Sequence, residues 1–325
     1  MGGFGGVATL PEYRRHGAVR RCFEAALPDL YARDYEFSFL YPFSTVFYRQ
    51  FGYECCVQKM KWKIHLGMLN VPEPKGQARL SEKHRTMTEA IRSVDQVVEK
   101  RFNMMVQHRA DPYRWTAQED PAVKQEFTYV WFDSTDIPQS YATFKLVSEA
   151  DGRNLVCSRF FFANREGFLG LLGLFQRLSS DHSYLKFDTP VCPSLQYLMP
   201  EWSLGAVSWT LQASAGMARV VNVQRVLEKA RYRGTGQITL EIRDPQIHEN
   251  NDRFTVTFVN GAAETVERSQ QPADAVMDIS TFSALICGVC DWEDARLMFR
   301  GIEILRDDHY SQVFYRKPMM ICDYF

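Results

Sequence analysis

Gly6-Val7-Ala8-Thr9-Leu10-Pro11-Glu12-Tyr13-Arg14-Arg15-His16-Gly17-Ala18-Val19-Arg20 is the stretch on which the reading of this chain turns. With Phe4 and Gly5 before it, the glycine-rich and then apolar first part predicts a strand over residues 4–9, and Pro11 opens a loop. Residues 18–30 place Val19, Cys22, Phe23, Ala26 and Leu27 at helical spacing. The order is strand, loop, helix. A helix start leaves its first amides without acceptors and carries the positive end of the macrodipole, so it attracts anions. Gly17 allows a ligand close to the backbone, and Arg14, Arg15 and Arg20 offer charge-assisted partners for a pyrophosphate. A surface loop with arginines and a turn glycine has the same composition, and short matches arise often by chance. Both readings stand on these residues alone.

Downstream, residues 35–40 alternate as a strand, Pro42 breaks the chain, and Ser44-Thr45-Val46-Phe47-Tyr48-Arg49 starts a helix from a polar cap that Gly52 ends. A strand over 56–66 precedes a Pro/Gly linker at 71–76. The middle segment predicts a long helix over 82–109 broken by Asp111-Pro112, strands over 127–132, 140–147 and 154–162, and a buried helix over 167–178, in a domain ending near Pro200. The last segment begins near Met217-Ala218-Arg219-Val220-Val221-Asn222-Val223 and continues in a helix over 224–232. Strands over 237–242, 253–259 and 264–268 form a meander, with Asn260-Gly261 as a hairpin turn because both positions tolerate positive φ. An apolar helix over 281–289 follows.

Composition narrows the classes. The chain has 325 residues, more than one hydrophobic core usually supports, so two or three domains are expected. Lys plus Arg number 38 against 39 Asp plus Glu, which gives no overall pull toward nucleic acid or anionic membranes. No long uncharged apolar run and no signal-peptide pattern occurs, so a cytoplasmic protein is expected. The eight cysteines sit largely in apolar settings and read as reduced core residues. Cys287 and Cys290 form a C-x-x-C without a second pair at zinc spacing, and the seven histidines follow no zinc-hydrolase pattern, so no metal is expected. Asp307-Asp308-His309 reads as a solvated loop, and Ser283 and Cys192 lie in no nucleophile motif.

The motifs together resemble the multidomain GNAT acetyltransferases of the enhanced intracellular survival (Eis) type. Arg14-x-x-Gly17-x-Val19 is similar to their acetyl-CoA loop, although Val19 stands where a small residue is common. Gly6 to Pro11 resembles the splayed strand whose backbone pairs with the pantetheine arm, and Val46-Phe47-Tyr48-Arg49-Gln50-Phe51-Gly52-Tyr53 resembles the segment whose tyrosine is the general acid. Asp111-Pro112-Tyr113-Arg114-Trp115 fits a second GNAT-like domain, and the segment from Met217 through the Ser283-Ala284-Leu285 helix is similar to the sterol-carrier-like C-terminal domain. The resemblance implies an α+β fold: a partial GNAT domain at 1–70, a second GNAT-like domain at 71–213, and a sterol-carrier-protein-like α/β domain at 214–325. A complete GNAT domain has about three strands and two helices ahead of the acetyl-CoA strand, so a fragmentary gene model is expected.

The resemblance further implies acetyl transfer from acetyl-CoA to a primary amine, with no metal. Val7, Ala8, Thr9, Arg14, Arg15, His16, Gly17, Ala18, Val19 and Arg20 would bind the cofactor. Tyr48 would be the general acid, and the terminal carboxylate of Phe325 a base or amine anchor. A tyrosine beside Phe47 and Phe51 at helical spacing also reads as core. Aminoglycosides, polyamines, small arylalkylamines and lysine side chains are all open as substrates. A homo-oligomer, a hexamer by resemblance, is implied, with no nucleic-acid or membrane partner. The rival class is a non-catalytic binding or scaffold protein with a vestigial GNAT domain and a sterol-carrier-like ligand site.

Overall fold

The glycine-rich start is a strand only at its beginning. In the computed structural model, which describes residues 1–73, 75–82, 84–105, 120–191, 207–306 and 310–321, β1 covers Gly2–Phe4. The strand expected over 4–9 is thereby corrected: Gly6 takes φ +64°, which turns the chain out of extended geometry, and Val7, Ala8 and Thr9 lie outside any strand. A 3-10 turn at Pro11–Tyr13 leads to α1 (Ala18–Ala32), which buries Phe23 and Leu27. Cys22, expected on that apolar face, is exposed, since it sits one position round the helix from Phe23. β2 (Phe37–Leu40) pairs parallel with β1, Gly2 opposite Ser38 and Phe4 opposite Leu40, so the three elements form a β–α–β unit. The strand expected over residues 35–40 forms here, and Ser38, Phe39 and Leu40 are all buried. Ser38 meets this by sharing a 2.6 Å hydrogen bond with the Tyr53 hydroxyl. α2 (Thr45–Arg49) then starts from Ser44, whose hydroxyl accepts the Phe47 N–H at 3.3 Å, and β3 (Glu54–His65) follows.

Met1–Gln58 and Ala213–Phe325 form one compact unit, and Lys59–Gln212 forms another. The second contains β4 (Gly76–Leu80), α3 (Thr88–Glu99), α4 (Pro121–Lys124), β5 (Glu126–Asp133), β6 (Pro138–Glu149), β7 (Gly152–Phe162), α5 (Arg165–Gln176) and β8 (Tyr184–Pro190). Its strands run β3-β8-β7-β6-β5-β4. Three expectations change here. The linker gives way to β4 at Gly76, which pairs with β5. The helix over 82–109 shortens to α3, because Glu82 and Arg85 exchange backbone hydrogen bonds in a bridge and Ser81 takes the Met87 N–H. β8 was missed, although Lys186 and Asp188 alternate with the buried Leu185 and Phe187 as in a half-buried strand. Asp111 to Trp115 lies outside the described residues. As expected, α5 is buried along almost its whole length.

β9 (Val207–Val220) starts in the second unit and returns to the first, where Met217 to Val220 pair antiparallel with β2. α6 (Val223–Lys229), β10 (Gly236–Arg243), β11 (Asp252–Val259), β12 (Ala262–Arg268), β13 (Ala275–Asp278), α7 (Ile279–Cys287), α8 (Trp292–Met298), β14 (Ile302–Ile304) and α9 (Tyr310–Val313) complete it. The hairpin turn is where the sequence placed it, with Asn260 at φ 51° and Gly261 at φ 84°. The meander is part of a five-stranded sheet, β12-β11-β10-β13-β14, in which β13 runs parallel to β10. α6 stops before Tyr232: Ala230 is extended, and Tyr232 leaves the helix to stack on Phe258 at 4.8 Å.

Within the first unit, Arg219 of β9 is fully buried. Its Nη2 donates to both carboxylate oxygens of buried Asp244, at 2.7 and 2.5 Å, and its Nη1 donates to the Phe51 carbonyl. Asp244 also accepts the Gln246 and Ile247 amides and the Asn250 side-chain amide. Asn250 in turn holds the Val223 N–H at 3.1 Å and the Val221 carbonyl at 2.9 Å. Removing one member of a buried pair strands the other charge, so Asp244→Ala should lower unfolding free energy by about 3–5 kcal/mol in urea titration. The double change Arg219→Met, Asp244→Leu should cost less than the single one. Equal or greater loss in the double variant would refute this account.

Candidate active site

The fold contains two β–α–β arrangements with parallel strands. In each, the parallel pairing is short: Gly2 to Phe4 against Ser38 to Leu40, and Asn154 to Val156 against Tyr184 to Lys186. They differ at the helix start. α5 is capped from within, Asn164 accepting the Gly167 N–H at 2.9 Å, and Phe160 of β7 stacks on Phe187 of β8 with ring centroids 4.1 Å apart. α1 has Gly17 at its N-cap, in the left-handed conformation at φ 74°, and no side chain bonds its first amides. Only glycine offers that backbone shape without cost while leaving the amides uncovered. The first unit therefore leaves the amides of this helix start uncapped, where Asn164 caps those of α5 in the second.

Arg14, Arg15, His16, Gly17 and Arg20 are all exposed around this helix start, with Ala18 and Val19 half-buried. Arg14 uses Nε to hold the Thr9 carbonyl at 3.1 Å, which ties the loop together and leaves its terminal Nη groups without a protein acceptor among the described residues. Arg15 sits at φ 66°. Arg20 reaches Gln50 Oε1 at 2.8 Å, and Gln50 Nε2 donates to the Phe47 carbonyl at 2.8 Å. This chain links the start of α1 to α2, the helix that carries Tyr48. Gln50 was not anticipated, since nothing local marks one exposed glutamine among aromatic residues.

Tyr48 is buried among Phe23, Phe43, Phe47 and Tyr53, at ring-centroid distances of 5.9, 5.3, 5.2 and 6.4 Å. Burial raises its pKa above the ordinary phenol value, so the hydroxyl is protonated at neutral pH. α2 is followed by Gly52 at φ 81°, where a Cβ would come within 2.5 Å of Arg219 Nη1 and 2.6 Å of Ile279 Cγ2. The Gly52 of the sequence motif thus serves close packing as well as helix termination. Phe325, Cys192 and Asp307 to His309 lie outside the described residues. Cys287 and Cys290 are buried and in no disulfide, with the Cys290 thiol pushed up to about 12 chiefly by burial. Ser283 is structural, donating to the Ile279 carbonyl and accepting the Val220 N–H. Among the described residues no group of three or more His, Cys, Asp and Glu side chains could hold a metal ion, and no helix is long and apolar enough to cross a membrane.

Residues 1–56 match the acetyltransferase (GNAT) domain, and residues 223–300 match the sterol carrier protein domain. The chain carries a GNAT domain. This places the open helix start, Tyr48 and the Arg20–Gln50 link inside the matched GNAT segment. No curated protein matches the sequence. The fold is similar to that of a GCN5-related N-acetyltransferase from Anabaena variabilis, at TM-score 0.86 and 19% identity over 99% of this chain and 81% of that one. It is also similar to a probable N-acyltransferase from Enterococcus faecalis, at TM-score 0.83 and 22% identity over 99% and 81%. Eis1 from Mycobacterium abscessus aligns at TM-score 0.75 and 16% identity over 98% and 81%.

Because the GNAT segment buries the Tyr48 ring, its ionisation is measurable as a packing signature. Carbon-13 NMR of ζ-labelled tyrosine, with Tyr48→Phe to assign the resonance, should place its midpoint above 10.0. From about pH 10.0 up to that midpoint the unfolded chain ionises while the folded one stays neutral, so stability falls across this window as pH rises. A midpoint at or below 10.0 would mean a solvated hydroxyl.

Proposed function

We propose that this protein is an acetyl-CoA-dependent N-acetyltransferase that acylates a primary amine. The observation that carries this is the uncapped start of α1, ringed by Arg14, Arg15 and Arg20 and tied through Gln50 to the helix of Tyr48. Diphosphate oxygens suit such a site, because unpaired amides and guanidinium groups both donate to anions. The amides of Val7, Ala8 and Thr9, free of strand pairing, are available to orient the thioester and polarise its carbonyl. His16, Gly17, Ala18 and Val19 complete the loop. In this mechanism the amine attacks the thioester carbonyl directly, and much of the rate comes from positioning. Tyr48 donates a proton to the departing thiolate, which a phenol held in its neutral form can do. The Phe325 carboxylate anchors the ammonium or relays its proton.

Replacing both Arg14 and Arg15 with Ala should weaken acetyl-CoA binding by about 2–4 kcal/mol in calorimetric titration, the loss of two charge-assisted hydrogen bonds. Unchanged affinity removes them from the site. Tyr48→Phe preserves ring packing and should reduce turnover by about 10² to 10⁴ with little change in stability. The near-complete burial of Tyr48 favours a second reading, in which the ring is core and the domain only binds; full turnover in Tyr48→Phe would establish it. Appending one glycine after Phe325 shifts the carboxylate by up to about 3.6 Å and should cut turnover at least about 10²-fold while acetyl-CoA affinity holds. Wild-type turnover in the extended chain would exclude the terminal carboxylate.

A further inference from the structure

Beside Tyr48, the turn into α2 carries two large apolar side chains in water: Phe43 is 72% exposed and Val46 is 74% exposed. Single exposed hydrophobic residues are ordinary on protein surfaces. These two flank the proposed acid, and the Phe43 ring packs edge-on against Tyr48 at 5.3 Å and lies 5.3 Å from Phe47. The charges of the same region are one-sided. Across residues 1–23 and 41–53 the sequence has five arginines, Arg14, Arg15, Arg20, Arg21 and Arg49, against one carboxylate, Glu12. Glu54, the next acid along, is engaged by Arg49 through two hydrogen bonds at 2.8 and 2.7 Å and by the Cys55 amide. A polycationic amine would meet five arginines against Glu12 alone on these segments, whereas an apolar body would cover Phe43 and Val46.

We propose that Phe43 and Val46 form the acceptor wall and select monoamines with an aryl or alkyl body over polycationic amines, an inference that rests on the acetyltransferase reading above. The ring of an arylalkylamine would lie against Phe43 with its amino group toward Tyr48. The amine attacks the acetyl carbonyl, the C–S bond breaks, the thiolate takes a proton, and the nitrogen loses one.

The test compares kcat/KM of the full chain for 2-phenylethylamine and spermidine at saturating acetyl-CoA. Phenylethylamine should be preferred by about 10-fold or more. Phe43→Ala should raise its KM by about 10-fold, the scale of one lost aromatic contact with its buried area, with acetyl-CoA affinity unchanged. Val46→Asp places a carboxylate in the wall at a position near a helix N-terminus that tolerates it, and should move preference toward spermidine. Preference for spermidine in the wild type, or an unchanged phenylethylamine KM in Phe43→Ala, would overturn the acceptor wall and leave the acetyltransferase reading intact. Binding of acetyl-CoA with neither amine acetylated would overturn the acceptor wall, whereas failure to bind acetyl-CoA at all would overturn the acetyltransferase reading as well.

Discussion

Arg219 keeps a full charge out of water, and its Nη groups draw distant parts of the first unit together. Its guanidinium joins β9 to the Phe51 carbonyl on one side and to the Asp244 carboxylate on the other. Asp244 is itself fixed by two backbone amides and by Asn250, which reaches back to Val221 and Val223. Residues from the GNAT segment and from the sterol-carrier segment therefore meet in one buried polar network. A buried ion pair is poor evidence of net stabilisation, since desolvation opposes the Coulombic gain. It does restrict the alternatives, because any arrangement that separates the partners leaves an unpaired charge inside. Gly52 belongs to the same constraint: its bare backbone makes room for the guanidinium at the end of the motif that carries Tyr48.

Acyl-transfer chemistry on a thioester requires an anion grip for the diphosphate, donors for the carbonyl and an acid for the thiolate. The GNAT segment assembles candidates for all three within its first fifty residues, because a parallel β–α–β unit brings a helix start and a strand end to the same edge. The second unit repeats the arrangement and illustrates how it closes. Asn164 occupies the helix amides of α5, and aromatic stacking of Phe160 on Phe187 fills the space between strands whose pairing has ended. The two units share the backbone topology and differ in whether a side chain caps the helix start.

Much of the candidate site was legible in local sequence. Gly17 before a helix, the arginines around it, the Ser44 cap and the Asn260-Gly261 turn each act through the conformational preference of one or two residues, and each lies where those preferences put it. Less legible were features whose partners are distant in the chain. Strand alternation over residues 35–40 does not show what covers Ser38, and Tyr53 supplies that cover. β8 was overlooked although Lys186 and Asp188 alternate with buried Leu185 and Phe187, and only its pairing with β3 and β7 marks it plainly. The helix over 82–109 shortened because Ser81, Glu82 and Arg85 satisfy backbone groups that the helix would otherwise have used.

By itself the sequence determined the elements and the chemical character of the loop: where helices begin, which turn closes the hairpin, and where cations gather. Those properties depend on dihedral preference and charge, which neighbouring residues set. Only the tertiary structure decided which of two similar β–α–β units keeps an open helix start, how Arg20 reaches the helix of Tyr48 through Gln50, and what neutralises Arg219. Each of these needs groups brought together across many residues, and hydrogen bonding and desolvation act on distance in space, which sequence separation does not encode.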